Sequence, residues 1–145
     1  MPMTKNQTVA IIQRLHGDKK HAANFVRDPA AEWQALGGQL PAGVTAAQFS
    51  QRMRGSPFFK EVQATANGKM SAMAWTPCIT SVVVLFHLLG IGVVGVVSAV
   101  SAPAEIAIAA FFGAEVTAIR AFLATSGETT VFLLATALCA HFGML

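Results

Sequence analysis

Between Cys78 and Val100 the chain runs for 23 residues without an Asp, Glu, Lys or Arg. That meets the ~20 consecutive apolar residues a helix needs to cross a hydrocarbon core. Such a stretch has to be helical and hidden from water, in lipid, in a partner or among copies of itself. Its interior carries Gly90, Gly92 and Gly95, and each glycine costs about 1 kcal/mol of helix propensity relative to alanine. The reading is therefore a helix break around these glycines, with a shorter helix on either side.

The rest of the chain divides at the same place. Met1 to Trp75 holds nine Lys/Arg (Lys5, Arg14, Lys19, Lys20, Arg27, Arg52, Arg54, Lys60, Lys69) against four acids (Asp18, Asp28, Glu32, Glu61). Thr76 to Leu145 holds Arg120 against Glu105, Glu115 and Glu128, so nearly all the ionisable groups precede the break. Four charges cannot keep a half of this size monodisperse in water, so residues 75–145 are expected to seek a membrane. Residues 1–74 form a separate basic region. No secretory h-region opens the chain, since Val9 to Leu15 is short and contains Arg14. The expectation is synthesis in the cytoplasm, with the C-terminal half membrane-associated or exported by another route.

Both halves read as helical. Thr4 and Gln7 have capping-box spacing ahead of Val9, Ile12 and Leu15, with Gly17 closing the turn. Asp28 and Pro29 look like an N-cap and first helical residue, leading through Trp33 and Leu36 to Gly37 and Gly38. Thr45 and Gln48 repeat the box, with Val44 placed to staple against Phe49, and Ser56-Pro57 starts a helix ending near Gly68. In the apolar half, Ala104 to Ala124 reads as one helix with Glu105 in its first turn. Glu115 and Arg120 lie five apart, which is not a pairing distance. Thr125 and Glu128 have capping-box spacing ahead of a last helix, Val131 to Leu145. The predicted fold class is all-α: short capped helices in a basic N-terminal half, then a hydrophobic bundle of three or four helices.

Signs of catalysis are weak. His16, His21, His87 and His141 show no metal-ligand spacing, and no nucleophile–base pair or paired carboxylates stand out. Gly90-Ile-Gly92-Val-Val-Gly95 matches the dinucleotide fingerprint in spacing only, without a preceding strand or a following acid. The nine cations are dispersed, which describes a solvated surface better than a nucleic-acid footprint. No enzyme activity, cofactor, metal or nucleic-acid partner is expected. Cys78 and Cys139 read first as two buried apolar thiols. Small residues in Gly95 to Ala99 and Ala104 to Ala110 permit close helix approach and hence self-association.

The stretch Phe25-Val-Arg-Asp28-Pro29-Ala-Ala-Glu-Trp-Gln-Ala-Leu36-Gly37, continuing Gly-Gln-Leu40-Pro41-Ala-Gly43-Val44, resembles leader regions of natural-product precursors of the nitrile-hydratase-like leader family. That family shows an aromatic residue, Asp-Pro, an Ala-rich helix, Leu-Gly and Leu-Pro-x-Gly-Val. The resemblance implies a leader recognised through Phe25, Asp28, Pro29, Leu36, Gly37, Leu40 and Pro41 by a modifying enzyme or a peptidase-transporter. It also implies a cleavage region, placed here at Met70, Ala72 and Ala74. The released half is similar in size and in its Gly/Ala/Val-rich helical character to circular and leaderless membrane-permeabilising bacteriocins, but is net negative where those are usually basic. Thr76 and Thr136 near the cysteines would allow thioether rings in a modified product, with a Cys78–Cys139 disulfide as the rival. In an up-down-up bundle of three helices the cysteines lie at opposite ends, so the disulfide requires the break near Gly90 and an even helix count. The leading expectation is a precursor of a membrane-active peptide. The alternative is an unprocessed integral-membrane or complex-embedded subunit whose N-terminal half docks.

Overall fold

The computed structural model describes residues 3–69, 76–90, 102–126 and 130–143. Over these the chain is all-α, without strands. The helices are α1 (Lys5–Gly17), α2 (Lys19–Arg27), α3 (Pro29–Ala35), α4 (Ala46–Arg54), α5 (Pro57–Ala66), α6 (Pro77–Leu88), α7 (Ala102–Phe112), α8 (Val116–Thr125) and α9 (Val131–Phe142).

The basic half begins its helices where its caps dictate. Thr4 and Thr45 each form a reciprocal capping box with Gln7 and Gln48, which satisfies first-turn N–H groups that have no intrahelical acceptor. Asp28 accepts from the Ala31 N–H ahead of Pro29. Gly17 does not end the first helical segment alone: Asp18 follows it, accepting from the N–H groups of Lys20 and His21, and starts α2. Residues 19–27 thus form a helix that the sequence pattern did not single out. Its Ala22 and Phe25 are buried against α5, where Phe25 meets the rings of Phe58 and Phe59 at 6.3 and 6.0 Å.

Helix ends here are also closed from a distance. Thr65 Oγ1 donates to the His16 carbonyl at the end of α1, Arg54 donates to Arg27 O at the end of α2, and Ser50 Oγ accepts from Ala30 N at the start of α3. Trp33 packs on Phe49 at 5.5 Å and donates its indole N–H to Gln39 O. Gly38 is obligatory beside it, because a Cβ there would run into the Trp33 ring and approach its carbonyl to 2.7 Å.

Helix α6 joins the two halves. Its mean character is so apolar that it has no exposed face to spare, and nine of its residues are buried. Val84 and Leu88 enter the core of the basic half with Ile11, Ile12, Leu15 and Trp33. Cys78, Ile79, Val82, Val83 and Phe86 enter a second core with residues of α7, α8 and α9. The helix stops at Leu88, with Gly90 at φ +77°, so it is too short to be a span. The break thus occurs at Gly90, while Gly92 and Gly95 lie outside the described residues.

Two expectations for the apolar half need correction. Ala104 to Ala124 is not one helix: α7 ends before Gly113, which takes φ +66°, and α8 restarts after Glu115 at a bend of 110°. The left-handed backbone at Gly113 ends the helix at little cost because glycine has no Cβ to clash. Arg120 is thereby turned back toward α7, where its Nε lies 3.4 Å from Glu105 Oε1. The cap of the last helix is Thr130, accepting from Leu133 N, instead of Thr125, whose hydroxyl donates back to Ala121 and Phe122 carbonyls within α8. Among the described residues no single helix is long and apolar enough to cross a membrane, and only the bent pair α7 and α8 reaches that length together.

Candidate functional site

The features that bear on function lie along the seam between the halves and at the covalent closure of the second core. At the seam, Arg52 of α4 donates through Nη1 to the Leu88 carbonyl at 2.9 Å. Its guanidinium lies flat over Gly90, where a Cβ would stand 3.3 Å from the guanidinium carbon. A cation on an orphan carbonyl at a helix C-terminus satisfies that acceptor and complements the helix dipole. The end of α6 is therefore set by a basic-half residue as well as by glycine. Spacing along the chain offered no signal for this, since donor and acceptor are 36 residues apart.

Beside this contact lies an apolar cavity of about 300 Å³. Met3, Trp33, Leu40 and Pro41 line it from the basic half; Leu85, Leu88, Leu89, Ile106 and Phe111 line it from the other. Among the described residues no charged side chain lines it. Of its polar lining groups, the Thr8 hydroxyl donates to Thr4 O and the Trp33 N–H is held by Gln39 O. The Gln39 side chain is exposed at the edge.

The residues expected to mark a leader fall into two sets. Phe25 and Pro29 are buried, and Asp28 is committed to capping α3. Leu36 and Gly37 instead line a shallow recess with Gln7, Ala10, Ile11 and Arg14, and Leu40 and Pro41 line the cavity. Met70, Ala72 and Ala74 lie outside the described residues.

Cys78 at the start of α6 and Cys139 near the end of α9 form a disulfide, with Cα atoms 6.2 Å apart. They are therefore not two free thiols. The bond fastens antiparallel packed helices and is buried, with Gly143 pressed against Cys78 Sγ and the Phe112 ring. Nearby, the Phe142 ring meets Phe112 at a tilt and Phe122 edge-on, at 6.0 and 5.4 Å, and His141 lies 5.0 Å from Phe122. His87 spends Nδ1 on the Val83 carbonyl one turn back.

No family model, curated protein or solved structure matches the chain. In the basic half His21 pairs with the nearly buried Glu32 at 2.9 Å, and His16 comes within 3.4 Å of Glu61 without hydrogen-bond alignment. Each ties two helices together, and among the described residues no group of three or more His, Cys, Asp or Glu is placed to hold a metal ion. The small residues expected to drive self-association are partly consumed within the chain, because Ala104 and Ala109 are buried in the second core.

Proposed function

We propose that the chain is a precursor of a membrane-active, bacteriocin-like peptide, with residues 1–74 as a recognition leader and 75–145 as the product. The observation that carries this reading is the Cys78–Cys139 bond. It closes the apolar half on itself and leaves the candidate cleavage region at Met70, Ala72 and Ala74 outside the covalent loop. A cut there frees a unit already stapled across its first and last described helices. Disulfides persist in oxidising compartments, which suits an exported product better than a cytoplasmic one.

The exposed large apolar side chains belong to the same half: among the described residues these are Ile106, Phe132 and Leu133, at 53, 39 and 45% exposure. Together with so few charges they give the product an affinity for the acyl region of a bilayer. Self-association in the membrane is part of the reading, as is recognition of the leader by a modifying enzyme or peptidase-transporter. The leader surface offered to such a partner is Leu36, Gly37, Leu40 and Pro41, because the other motif residues are engaged internally. No catalytic role, cofactor or nucleic acid enters.

A second reading is favoured by one observation. Burial of α6 in the core of the basic half suits an unprocessed membrane or complex-embedded subunit in which both halves act together. Intact mass of the material from the producing organism separates the two. The precursor reading expects a species of about half the 15.2 kDa chain with its cysteines resistant to alkylation until reduced. Full-length protein in the membrane fraction, with no smaller product, overturns it.

A further inference from the structure

The cavity at the seam has the character of a ligand site, and its chemistry narrows the ligand. We infer that it takes a neutral, single-chain amphiphile of about ten carbons, such as a medium-chain alcohol, with its polar end at Gln39. Ligand pockets are typically concave, largely apolar and furnished with a few polar groups that fix orientation. This one has about 300 Å³, roughly twice the ~150 Å³ apolar cavity that stays dry and accepts benzene. That ratio sets the size of the chain it holds.

The polar groups set the head. A carboxylate or phosphate would need a cation or spare N–H donors at the site, and among the described residues the lining has no charged side chain. Thr8 and the Trp33 indole already donate within the protein. The Gln39 carboxamide, exposed at the edge, supplies a neutral donor and acceptor for a hydroxyl or ester. Ile106 of α7, half-exposed, forms part of the lining and offers an apolar threshold. The ligand touches both halves, so binding is a property of the uncleaved chain and stands whether or not a product is ever released.

The test uses the full-length oxidised protein carrying Trp75→Phe, so that Trp33, which lines the cavity, is the sole tryptophan. Titration with a brominated ten-carbon alcohol is expected to quench Trp33 saturably at one ligand per chain. Ala107→Phe, which fills the cavity from α7, should abolish the quenching while leaving the melting transition in place. Gln39→Leu changes an exposed side chain and covers the case in which Ala107→Phe does not fold. It should weaken the alcohol several-fold, removing its advantage over the matching bromoalkane. The ten-carbon carboxylate should bind at least about tenfold more weakly than the alcohol, the ratio for about 1.4 kcal/mol of unpaired charge. Non-saturating quenching, equal quenching in a folded Ala107→Phe chain, or a carboxylate that binds as well as the alcohol overturns the assignment.

Discussion

Two side chains in the α6 region carry opposite consequences for stability. Thr80 is buried on α6 with a hydroxyl that has no hydrogen-bond partner among the described residues. An unmade bond of this kind leaves the desolvation cost of the group uncompensated, about 1–3 kcal/mol. Thr80→Val keeps the shape and removes the hydroxyl, so urea unfolding should show a gain of about 1 kcal/mol at the low end of that range. Arg52 does the reverse, since it answers the Leu88 carbonyl with a charged donor from another helix. Arg52→Ala should cost about 1.5–2 kcal/mol, the lower part of the range for charge-assisted bonds because the side chain is only part-buried. Faster amide exchange at Leu89 and Gly90 should accompany it. A stability unchanged by Arg52→Ala would mean that Gly90 alone ends α6.

Helix starts, by contrast, were written locally. The boxes at Thr4 and Thr45 and the Asp28-Pro29 start act within one turn of their own positions, which is why spacing alone located them. Asp18 caps α2 just as locally, although the sequence pattern did not single it out. The His21 backbone N–H, aided by that of Lys20 and the charges of His21 and Arg14, holds its carboxyl below the ordinary carboxylate range against some desolvation. A carboxyl depressed in the folded state contributes stability that is complete above its unfolded value, about 3.9. That contribution is lost as pH falls through the lower folded value. The amide signals of Lys20 and His21 should therefore titrate with a midpoint below the ordinary Asp value, and the titration should vanish in Asp18→Asn, which retains a capping oxygen. A midpoint at or above the ordinary value would contradict this cap. Gly17 marked the end of α1 in the sequence as well, but the end of α2 was not legible in the same way, because Arg54 reaches it from a distant helix.

In the molecule as a whole, two cores share one helix and the second is closed by a cystine. Cys78 and Cys139 are 61 residues apart, and in the chain-entropy view a loop of that size restricts the unfolded ensemble by about 4 kcal/mol. Reduction, or Cys139→Ser, should lower unfolding stability by up to about that amount, read by urea titration with and without reductant. The loss should concentrate in α6 to α9, and the capped helices of the basic half should keep their exchange protection longest. A uniform loss across both cores would show that α6 couples them into one cooperative unit.

Composition and patterning by themselves determined that the chain is all-α, where the caps at Thr4, Asp28 and Thr45 lie, that Gly90 interrupts the apolar stretch, and that most of the charge lies in one half. These are short-range or averaged properties, and a residue carries them wherever the chain goes. Only the tertiary structure decided that α6 is buried between both cores, that Arg52 seals its end, that α7 and α8 part at Gly113, that an uncharged cavity opens beside Trp33, and that Cys78 meets Cys139. An apolar run specifies only that water be excluded, and lipid or protein can do that equally well. Which surface excludes it depends on where distant helices are brought, and no local spacing records that.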